Sequence, residues 1–282
     1  MTESSILNLK EALENEGIEV NTENAFKLRN IILQTTKVDQ NKVKKSFYEW
    51  CLAYAHIEDK PFDPEMTGWN FWKGIYEMDL IGGKTVIRKC SQCGASFFSV
   101  LLSFWYVDVY PDRYFLLNPD KERAKTNISG NVGYIFPVGG ELNKFVGEKV
   151  ASTISDSPYI RSRMTRDGSA DGIVDMDNLN MKKFGDNVIY YAHSQNQTSL
   201  KSWSAALVIL DEFAEMAEGT ESLARRRMNA YSEKTRIILS NPELPDLNID
   251  AEFKKGTQMH YYVKCDHCNE WNTPDFFTFN NL

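Results

Sequence analysis

Residues 89–96 form a short segment whose composition could bind phosphate. Aligned with the G-x-x-x-x-G-K-[ST] pattern, Gly94 falls on the second glycine and Ser96 on the hydroxyl residue. Ala95 stands at the usual lysine position, and Lys89 stands at the first glycine position. Because a lysine stem is long and flexible, Lys89 could reach the β- and γ-phosphates from the start of the loop. The alternative is a strand, loop and helix with a chance glycine and serine.

The rest of this loop would contribute backbone N–H groups at the start of a helix, where the helix dipole favours anions. Ser96 could also bind Mg²⁺ through its hydroxyl oxygen. We therefore predict that the nucleotide-binding residues are Lys89, Ser91, Gln92, Cys93, Gly94, Ala95 and Ser96.

A second segment with chemical potential is an apolar run that ends in two acids. Residues 207–210 are Leu-Val-Ile-Leu, which predicts a buried strand, and Asp211 and Glu212 follow. A phosphate loop needs a partner strand with an Asp at the metal, and an adjacent Glu can polarise the attacking water. We predict that Asp211 and Ser96 are Mg²⁺ ligands and that Glu212 is catalytic. A strand that merely ends in acidic residues is the alternative.

The apolar run 236–239 ends in a polar pair, Ser240 and Asn241, followed by Pro242. At the C-terminal edge of a parallel sheet, such a pair can contact the γ-phosphate and couple its loss to movement. We predict this coupling role for Ser240 and Asn241. A simple strand stop at Pro242 is the alternative.

Arginines could neutralise the charge that builds on the γ-phosphate during hydrolysis. Arg225 and Arg226 are our candidates for this catalytic role, either within the chain or offered to a neighbouring subunit. Arg227 and Arg88 are further candidates. A solvated basic helical face is the alternative for each of them.

Two C-x-x-C pairs, Cys90/Cys93 and Cys265/Cys268, raise the possibility of zinc, since four thiolates make a tetrahedral site. A shared site is unfavourable because a metal at Cys90 and Cys93 would block the phosphate loop. Cys265 and Cys268 alone could form half of a zinc site, or they could be two free thiols in a hairpin.

These candidate residues need a fold that brings them together. Short apolar runs alternate with helical stretches, which is typical of a parallel sheet with helices on both faces. We therefore predict an α/β fold with a mostly parallel sheet. The predicted strands are 85–88, 113–117, 188–192, 205–210 and 236–240, a buried helix spans 96–107, and 161–186 reads as loops or a small insertion.

Residues 1–59 read as a small helical N-terminal region, since apolar residues recur at helical spacing between residues 6 and 57. Two prolines in 59–64 suggest a linker, so we predict a main domain over 60–282. Aromatic residues just after this boundary could stack on adenine or pack in the core: Trp69, Phe71, Trp72 and Tyr76.

The composition narrows the class of protein. The chain has 282 residues, is 42% hydrophobic and carries a net charge of −7, which describes a globular protein rather than a disordered one. That charge argues against binding nucleic acid through bulk positive charge, though not against a local basic groove. We expect no transmembrane helix, signal peptide or disulfide framework.

Taken in order, these motifs resemble those of tailed-phage large terminases, most closely the lambda-like branch, whose loop reads Lys-Ser-x-x-x-Gly-x-Ser with the lysine in front. The resemblance covers roughly residues 60–280. Besides 89–96, the segments that carry it are 114–125, 191–194, 199–202, 207–212, 223–242 and 261–269. Departures from the family pattern are Ala95, Asn241, Lys264 and Asn269.

The resemblance implies a P-loop NTPase fold of the ASCE/RecA-like type and an ATPase motor that uses ATP and Mg²⁺. It also implies macromolecular partners: double-stranded DNA, the small terminase subunit, the portal and procapsid, and copies of the same chain in a ring. It further implies action in the host cytoplasm, with no membrane partner. Because the family's nuclease domain would begin near Leu282, we expect a truncated chain without nuclease activity.

Two other functions remain open from the sequence. One is a superfamily-2-like helicase core, which needs a second RecA-like domain that this length does not accommodate. The other is a non-enzymatic zinc-binding adaptor that uses Cys265, Cys268 and the N-terminal helices. Stoichiometric zinc without nucleotide binding would favour the adaptor.

Overall fold

The computed structural model of the protein describes residues 45–64, 70–164, 178–265 and 267–273. Within these ranges, six strands form one sheet, and four short strands form two separate antiparallel pairs. The strands are β1 (His56–Ile57), β2 (Lys60–Pro61), β3 (Gly83–Arg88), β4 (Val132–Phe136), β5 (Met181–Phe184), β6 (Asn187–His193), β7 (Leu207–Asp211), β8 (Thr235–Ser240), β9 (Val263–Lys264) and β10 (Trp271–Asn272).

The large sheet has the strand order β3-β8-β7-β4-β6-β5. All neighbours are parallel except β5 and β6. In the register of the parallel strands, Arg88 lies opposite Ser240, and Asp211 lies opposite Leu239. The residues that follow β3, β7 and β8 therefore emerge at one edge of the sheet, as the predicted site requires.

Helices cover both faces of this sheet, which confirms the predicted α/β fold. They are α1 (Phe47–Tyr54), α2 (Lys73–Glu77), α3 (Ala95–Leu117), α4 (Gly139–Phe145), α5 (Ala151–Asp156), α6 (Pro158–Arg163), α7 (Thr220–Arg226) and α8 (Asn248–Lys254). Along β7, Leu207 and Ile209 join the core that contains α3, whereas Val208 and Leu210 join a second core. This alternation is the two-residue period of a strand that is buried on both faces.

The predicted strand over 113–117 is wrong, because these residues are the last turns of α3. The helix continues through Pro111, whose ring nitrogen cannot donate to the carbonyl of Val107. The side-chain amide of Asn187 donates to that carbonyl instead, at 2.8 Å. Tyr106 and Tyr110, one turn apart, stack at 4.2 Å and are fully buried. A tertiary contact thus satisfies the group that the proline leaves unpaired.

The central strand β4 was not predicted, although all five of its residues are buried. It contains Gly133, where a Cβ atom would lie 2.4 Å from the Trp203 ring. The glycine therefore permits the indole to pack directly on the strand. Because glycine has a low strand propensity, it also makes the strand harder to predict from the sequence. The predicted loop region 161–186 also contains β5, and its residues 165–177 lie outside the described ranges.

The first described helix, α1, packs on the main core. Phe47 stacks on Tyr76 at 5.0 Å between ring centroids, and Phe62 contacts the same ring at 5.0 Å. Of the predicted helical region 6–57, residues 6–44 lie outside the described ranges, and β1 follows α1. Among the described residues, we find no helix with the length and apolar character needed to cross a membrane.

Candidate nucleotide site

The loop between β3 and α3 has the backbone of a turn that leads into a helix. Gly94 caps α3 with a φ of 83°, which lies in the left-handed region where glycine is unstrained. Gln92 also has a left-handed φ, of 57°. Ser96 lies in the first turn of α3 and is partly exposed. Backbone N–H groups at such a helix start form a suitable anion site.

Three hydrogen bonds hold this loop in place. The Lys89 N–H donates to the Ser240 carbonyl at 3.0 Å, which extends the β3–β8 ladder by one step. The Trp72 indole N–H donates to the Cys93 carbonyl at 2.5 Å, and the Asn241 amide donates to the Ser91 hydroxyl at 3.1 Å. Trp72 is buried in the core, so it serves as an anchor for the loop rather than as an open adenine platform.

Lys89 turns towards the acidic pair. Its amine lies 2.5 Å from Glu212 Oε1, and the lysine side chain is only 5% exposed. Glu212 adopts left-handed backbone angles, φ 57° and ψ 48°, directly after β7. A non-glycine residue in this region costs free energy, and such strain concentrates at functional sites. The structure thus brings together the lysine at the head of the loop and the predicted catalytic acid.

Asp211 lies behind this ion pair and is fully buried. Its Oδ2 accepts a 2.7 Å hydrogen bond from the Tyr134 hydroxyl, and Tyr134 contacts the Ser99 hydroxyl at 2.7 Å. Ser99 in turn donates to the Ser96 carbonyl at 2.9 Å. This chain of contacts connects the two predicted Mg²⁺ ligands, Ser96 and Asp211, through two buried hydroxyl groups.

The electrostatics of Asp211 fit a cation site. Burial raises the pKa of its carboxyl group to about 6, while the charge of Lys89 and the bond from Tyr134 act in the opposite direction. Buried carboxylates are normally paired or coordinate metals, because an isolated buried charge is costly. A divalent cation near Asp211 would therefore stabilise its ionised form.

Ser240 connects the predicted phosphate loop to the segment after the acidic pair. Its carbonyl accepts from Lys89, and its hydroxyl accepts from the Ala214 N–H at 3.1 Å. Next to it, the side-chain oxygen of Asn241 is buried and has no hydrogen-bond partner within the described part of the chain. The predicted coupling pair therefore contacts both halves of the site.

The structure does not bring Arg225 and Arg226 to this site. Both are exposed at the end of α7 and line a cleft with Gly83, Lys234 and Arg236. Those residues stand at the beginning of β3 and β8, so the cleft lies at the opposite edge of the sheet from Glu212. We predicted that these arginines act either within the chain or on a neighbouring subunit. Their placement does not fit a role within the same chain.

The other arginine candidates are also engaged elsewhere. Arg88 pairs with Asp250 at 2.5 Å and lies over the Phe253 ring at 4.0 Å. Arg227 donates to the Lys201 carbonyl at 2.9 Å. Neither set of contacts involves the acidic pair.

The zinc prediction finds no support in the described ranges. There, no group of three or more His, Cys, Asp or Glu side chains is arranged to hold a metal ion. Cys265 and Cys268 lie between β9 and β10, where the Asn269 N–H donates to the Cys265 carbonyl at 2.9 Å. The pair belongs to a short hairpin.

Sequence reasoning missed Tyr134 and Ser99, the two residues that connect Ser96 to Asp211. Tyr134 was missed because β4 was not predicted. Ser99 carried a usable signal, since it lies three residues after Ser96 and therefore on the same face of α3.

The fold and the site define a class of protein, the P-loop-type ATPases, in which a parallel sheet presents a phosphate loop next to an acidic pair. Within that class, the chain belongs to the phage terminase large subunit family. Residues 124–282, more than half of the chain, match the family model described as "Phage terminase large subunit gpA, ATPase domain". The match includes the acidic pair and begins after the phosphate loop. No curated protein matches the chain.

Solved structures similar to this chain include three phage large terminases. The HK97 bacteriophage enzyme has a TM-score of 0.52 at 11% identity, over 81% of this chain and 45% of that chain, which shows a shared fold. The Thermus phage P74-26 ATPase domain matches at 16% identity over 65% of this chain and 67% of that chain, with a TM-score of 0.43. A large terminase from a thermophilic bacteriophage, solved in complex with ADP, matches at 16% identity over 70% of this chain and 42% of that chain, with a TM-score of 0.42. The chain therefore spans less than half the length of the HK97 protein and of the protein solved with ADP.

Proposed function

We propose that this chain is the ATP-hydrolysing motor of a viral DNA-packaging terminase, which drives double-stranded DNA into a procapsid. The observation that carries the proposal is the contact of Lys89 with Glu212, beside the buried Asp211. In this proposal the Lys89 amine binds phosphate and Glu212 is the general base, and their contact at one edge of the sheet supports that assignment. Family membership supports ATP as the nucleotide.

The proposed roles follow from position. Lys89 and the backbone N–H groups around Gly94 hold the phosphates at the start of α3. Glu212 accepts the proton of the attacking water, since it is partly exposed and can reach solvent. Ser96 and Asp211 would hold Mg²⁺, which in such sites neutralises charge on the phosphate oxygens.

Ser240 and Asn241 are proposed to transmit the change that follows hydrolysis. Ser240 is bonded both to Lys89 and to Ala214, so a shift in the phosphate loop is communicated to the segment after Glu212. Asn241 contacts Ser91 and has a buried side-chain oxygen available for a new bond. Small shifts at such a junction can be amplified because packed elements move as units.

The finer assignments rest on the family likeness. They are double-stranded DNA as the translocated polymer, the small terminase subunit and the portal as partners, and a ring of copies of the chain in the host cytoplasm. Because a single subunit would release DNA at every cycle, processive movement requires several subunits. We retain the boundary near residue 60 between the N-terminal region and the ATPase domain, and the absence of nuclease activity in residues 1–282, as proposals.

DNA packaging by this protein tests the proposed function. Purified procapsids, DNA and ATP are mixed with the small subunit, and the DNA that becomes resistant to nuclease is measured. We expect ATP-dependent protection with the wild-type protein and none with Glu212→Gln. The exposed acid Glu218 offers a matched control, so Glu218→Gln should package normally. Protection that persists with Glu212→Gln would contradict the proposal.

A further inference from the structure

Two free cysteines, Cys90 and Cys93, lie inside the proposed phosphate loop, and the proposed hydrolysis uses neither thiol. They are the first and last residues of a turn centred on Ser91 and Gln92. The ends of a four-residue turn have Cα atoms less than about 7 Å apart, which overlaps the range of about 4.4–6.8 Å found in disulfides. The backbone is therefore already close to the geometry of a Cys-x-x-Cys bridge.

The side chains of the pair differ in access. Cys90 is exposed, whereas Cys93 is buried and its Sγ donates to the Cys90 carbonyl at 3.0 Å. Burial raises the pKa of the Cys93 thiol, a backbone hydrogen bond from Ala95 lowers it, and the neighbouring Cys90 side chain raises it. The two thiols therefore adjoin each other, one accessible to small molecules and one protected.

We propose that Cys90 and Cys93 form a reversible disulfide that closes the loop to the triphosphate, an inference that rests on the proposed function of the loop. The oxidant is a low-molecular-weight disulfide such as oxidised glutathione. The exposed Cys90 thiolate attacks one of its sulfurs, which breaks that disulfide and releases one glutathione thiolate. Cys93 then loses its proton to solvent and attacks the Cys90 sulfur, releasing the second. Two protein thiols are oxidised, and one disulfide is reduced to two thiols.

The bridge should oppose phosphate binding because of where it lies. A phosphate loop must turn several successive N–H groups inward around the anion. Trp72 already fixes the Cys93 carbonyl, and Asn241 already holds Ser91. A covalent bond between Cys90 and Cys93 removes the remaining conformational freedom of this turn. By linkage, bound nucleotide must then disfavour the disulfide to the same extent.

The experiment compares reduced and oxidised protein in glutathione buffers. Cys265→Ser and Cys268→Ser remove the second C-x-x-C pair from the background, and Cys51 stays buried in the core. Alkylation and mass spectrometry quantify the disulfide, and binding of a non-hydrolysable ATP analogue gives Kd. We expect Kd to rise about tenfold or more on oxidation, the effect of losing one or two hydrogen bonds to a charged group. Dithiothreitol should reverse the change.

The Cys90→Ser variant is the matched control, since it leaves Cys93 in place but cannot form the bridge. Its Kd should be equal in reduced and oxidised buffers. The analogue should also slow oxidation of the unsubstituted loop. Three outcomes would each overturn this inference without affecting the proposed function. The disulfide does not form in strongly oxidising buffer, it forms without a change in Kd, or the Kd of Cys90→Ser also depends on the redox buffer. Failure of the fully reduced protein to bind ATP would contradict the proposed function as well.

Discussion

The amine of Lys89 lies 2.5 Å from Glu212 Oε1, although the two residues follow strands that are not neighbours. β8 lies between β3 and β7, so the ion pair bridges over the end of the middle strand. A triphosphate carries more negative charge than one carboxylate and would compete with Glu212 for the amine. We therefore expect nucleotide binding to transfer Lys89 to the phosphates and leave Glu212 free to accept a proton.

Glu212→Gln should abolish hydrolysis without preventing ATP binding. The amide keeps the shape of the side chain but cannot accept the proton of the water, so we expect turnover to fall about 10²–10⁴-fold. ATP affinity should be unchanged or increased, because Lys89 is no longer held by a carboxylate. Phosphate release and nucleotide binding measure the two effects. Unchanged turnover in Glu212→Gln, with Glu218→Gln as the control, would remove Glu212 from the catalytic assignment.

Lys89→Ala should weaken ATP binding. The loop lacks the usual lysine, since Ala95 occupies its position, and the Lys89 amine contacts the acidic pair. Hydrogen bonds to charged groups contribute about 1.5–3 kcal/mol, which corresponds to a rise in Kd of about 10–100-fold. Calorimetry with a non-hydrolysable ATP analogue measures the Kd of the variant and of the wild type.

A matched control for Lys89→Ala lies on the same strand. Lys84 stands near the start of β3 and forms an ion pair with Glu252, so Lys84→Ala removes an equal charge at the opposite edge of the sheet. It should leave Kd within about twofold, given the small energies of surface ion pairs. Equal losses in both variants would indicate a general electrostatic effect and contradict a specific phosphate contact.

The sequence was sufficient to predict the strands that carry the candidate site. β3, β7 and β8 are apolar runs that end in polar residues, and their parallel arrangement brings residues 89, 211 and 240 to one edge. The local signal was strong in β7 and β8 because nearly all of their residues are buried. β3 lies at the edge of the sheet and is partly exposed, so only its short β-branched run, residues 85–87, indicated a strand. The motif order then placed the loop before the acidic pair.

The parts that the sequence did not predict depend on tertiary contacts. α3 passes through Pro111 because Asn187, about 80 residues later in the chain, supplies the missing donor. β4 tolerates Gly133 because Trp203 fills the space above it. The placement of Arg225 and Arg226 depends on the direction of α7, which runs away from the site, and residue spacing does not specify that direction.

The carboxyl group of Asp211 should make stability depend on pH. Burial raises its pKa from 3.8 to about 6, so the folded protein holds this proton more tightly than the unfolded chain does. Its contribution to the free energy of unfolding is therefore greatest below about pH 4 and falls as the pH rises towards 6, by about 3 kcal/mol in all. Urea unfolding between pH 4.5 and 7.5, in EDTA, should show this slope.

Asp211→Asn isolates that contribution from the other titrating groups. The amide is neutral at every pH and keeps an oxygen that can accept from Tyr134. The free energy of unfolding of the variant, relative to that of the wild type, should therefore increase with pH. Mg²⁺ at pH 7 should reduce the difference by stabilising the ionised wild-type carboxylate. Parallel pH profiles for the two proteins would show that Asp211 does not titrate in this range.

Arg225→Ala and Arg226→Ala should leave ATP binding and hydrolysis by the isolated chain unchanged. Both side chains line the cleft at the start of β3 and β8, on the opposite edge of the sheet from Glu212, so neither can reach a phosphate held at Lys89 in the same subunit. If they act on a neighbouring subunit, the loss of activity should appear only at protein concentrations where the chain self-associates. Turnover measured across a dilution series, with sedimentation to follow association, separates the two cases. A loss of hydrolysis in dilute monomer would contradict the placement of these arginines.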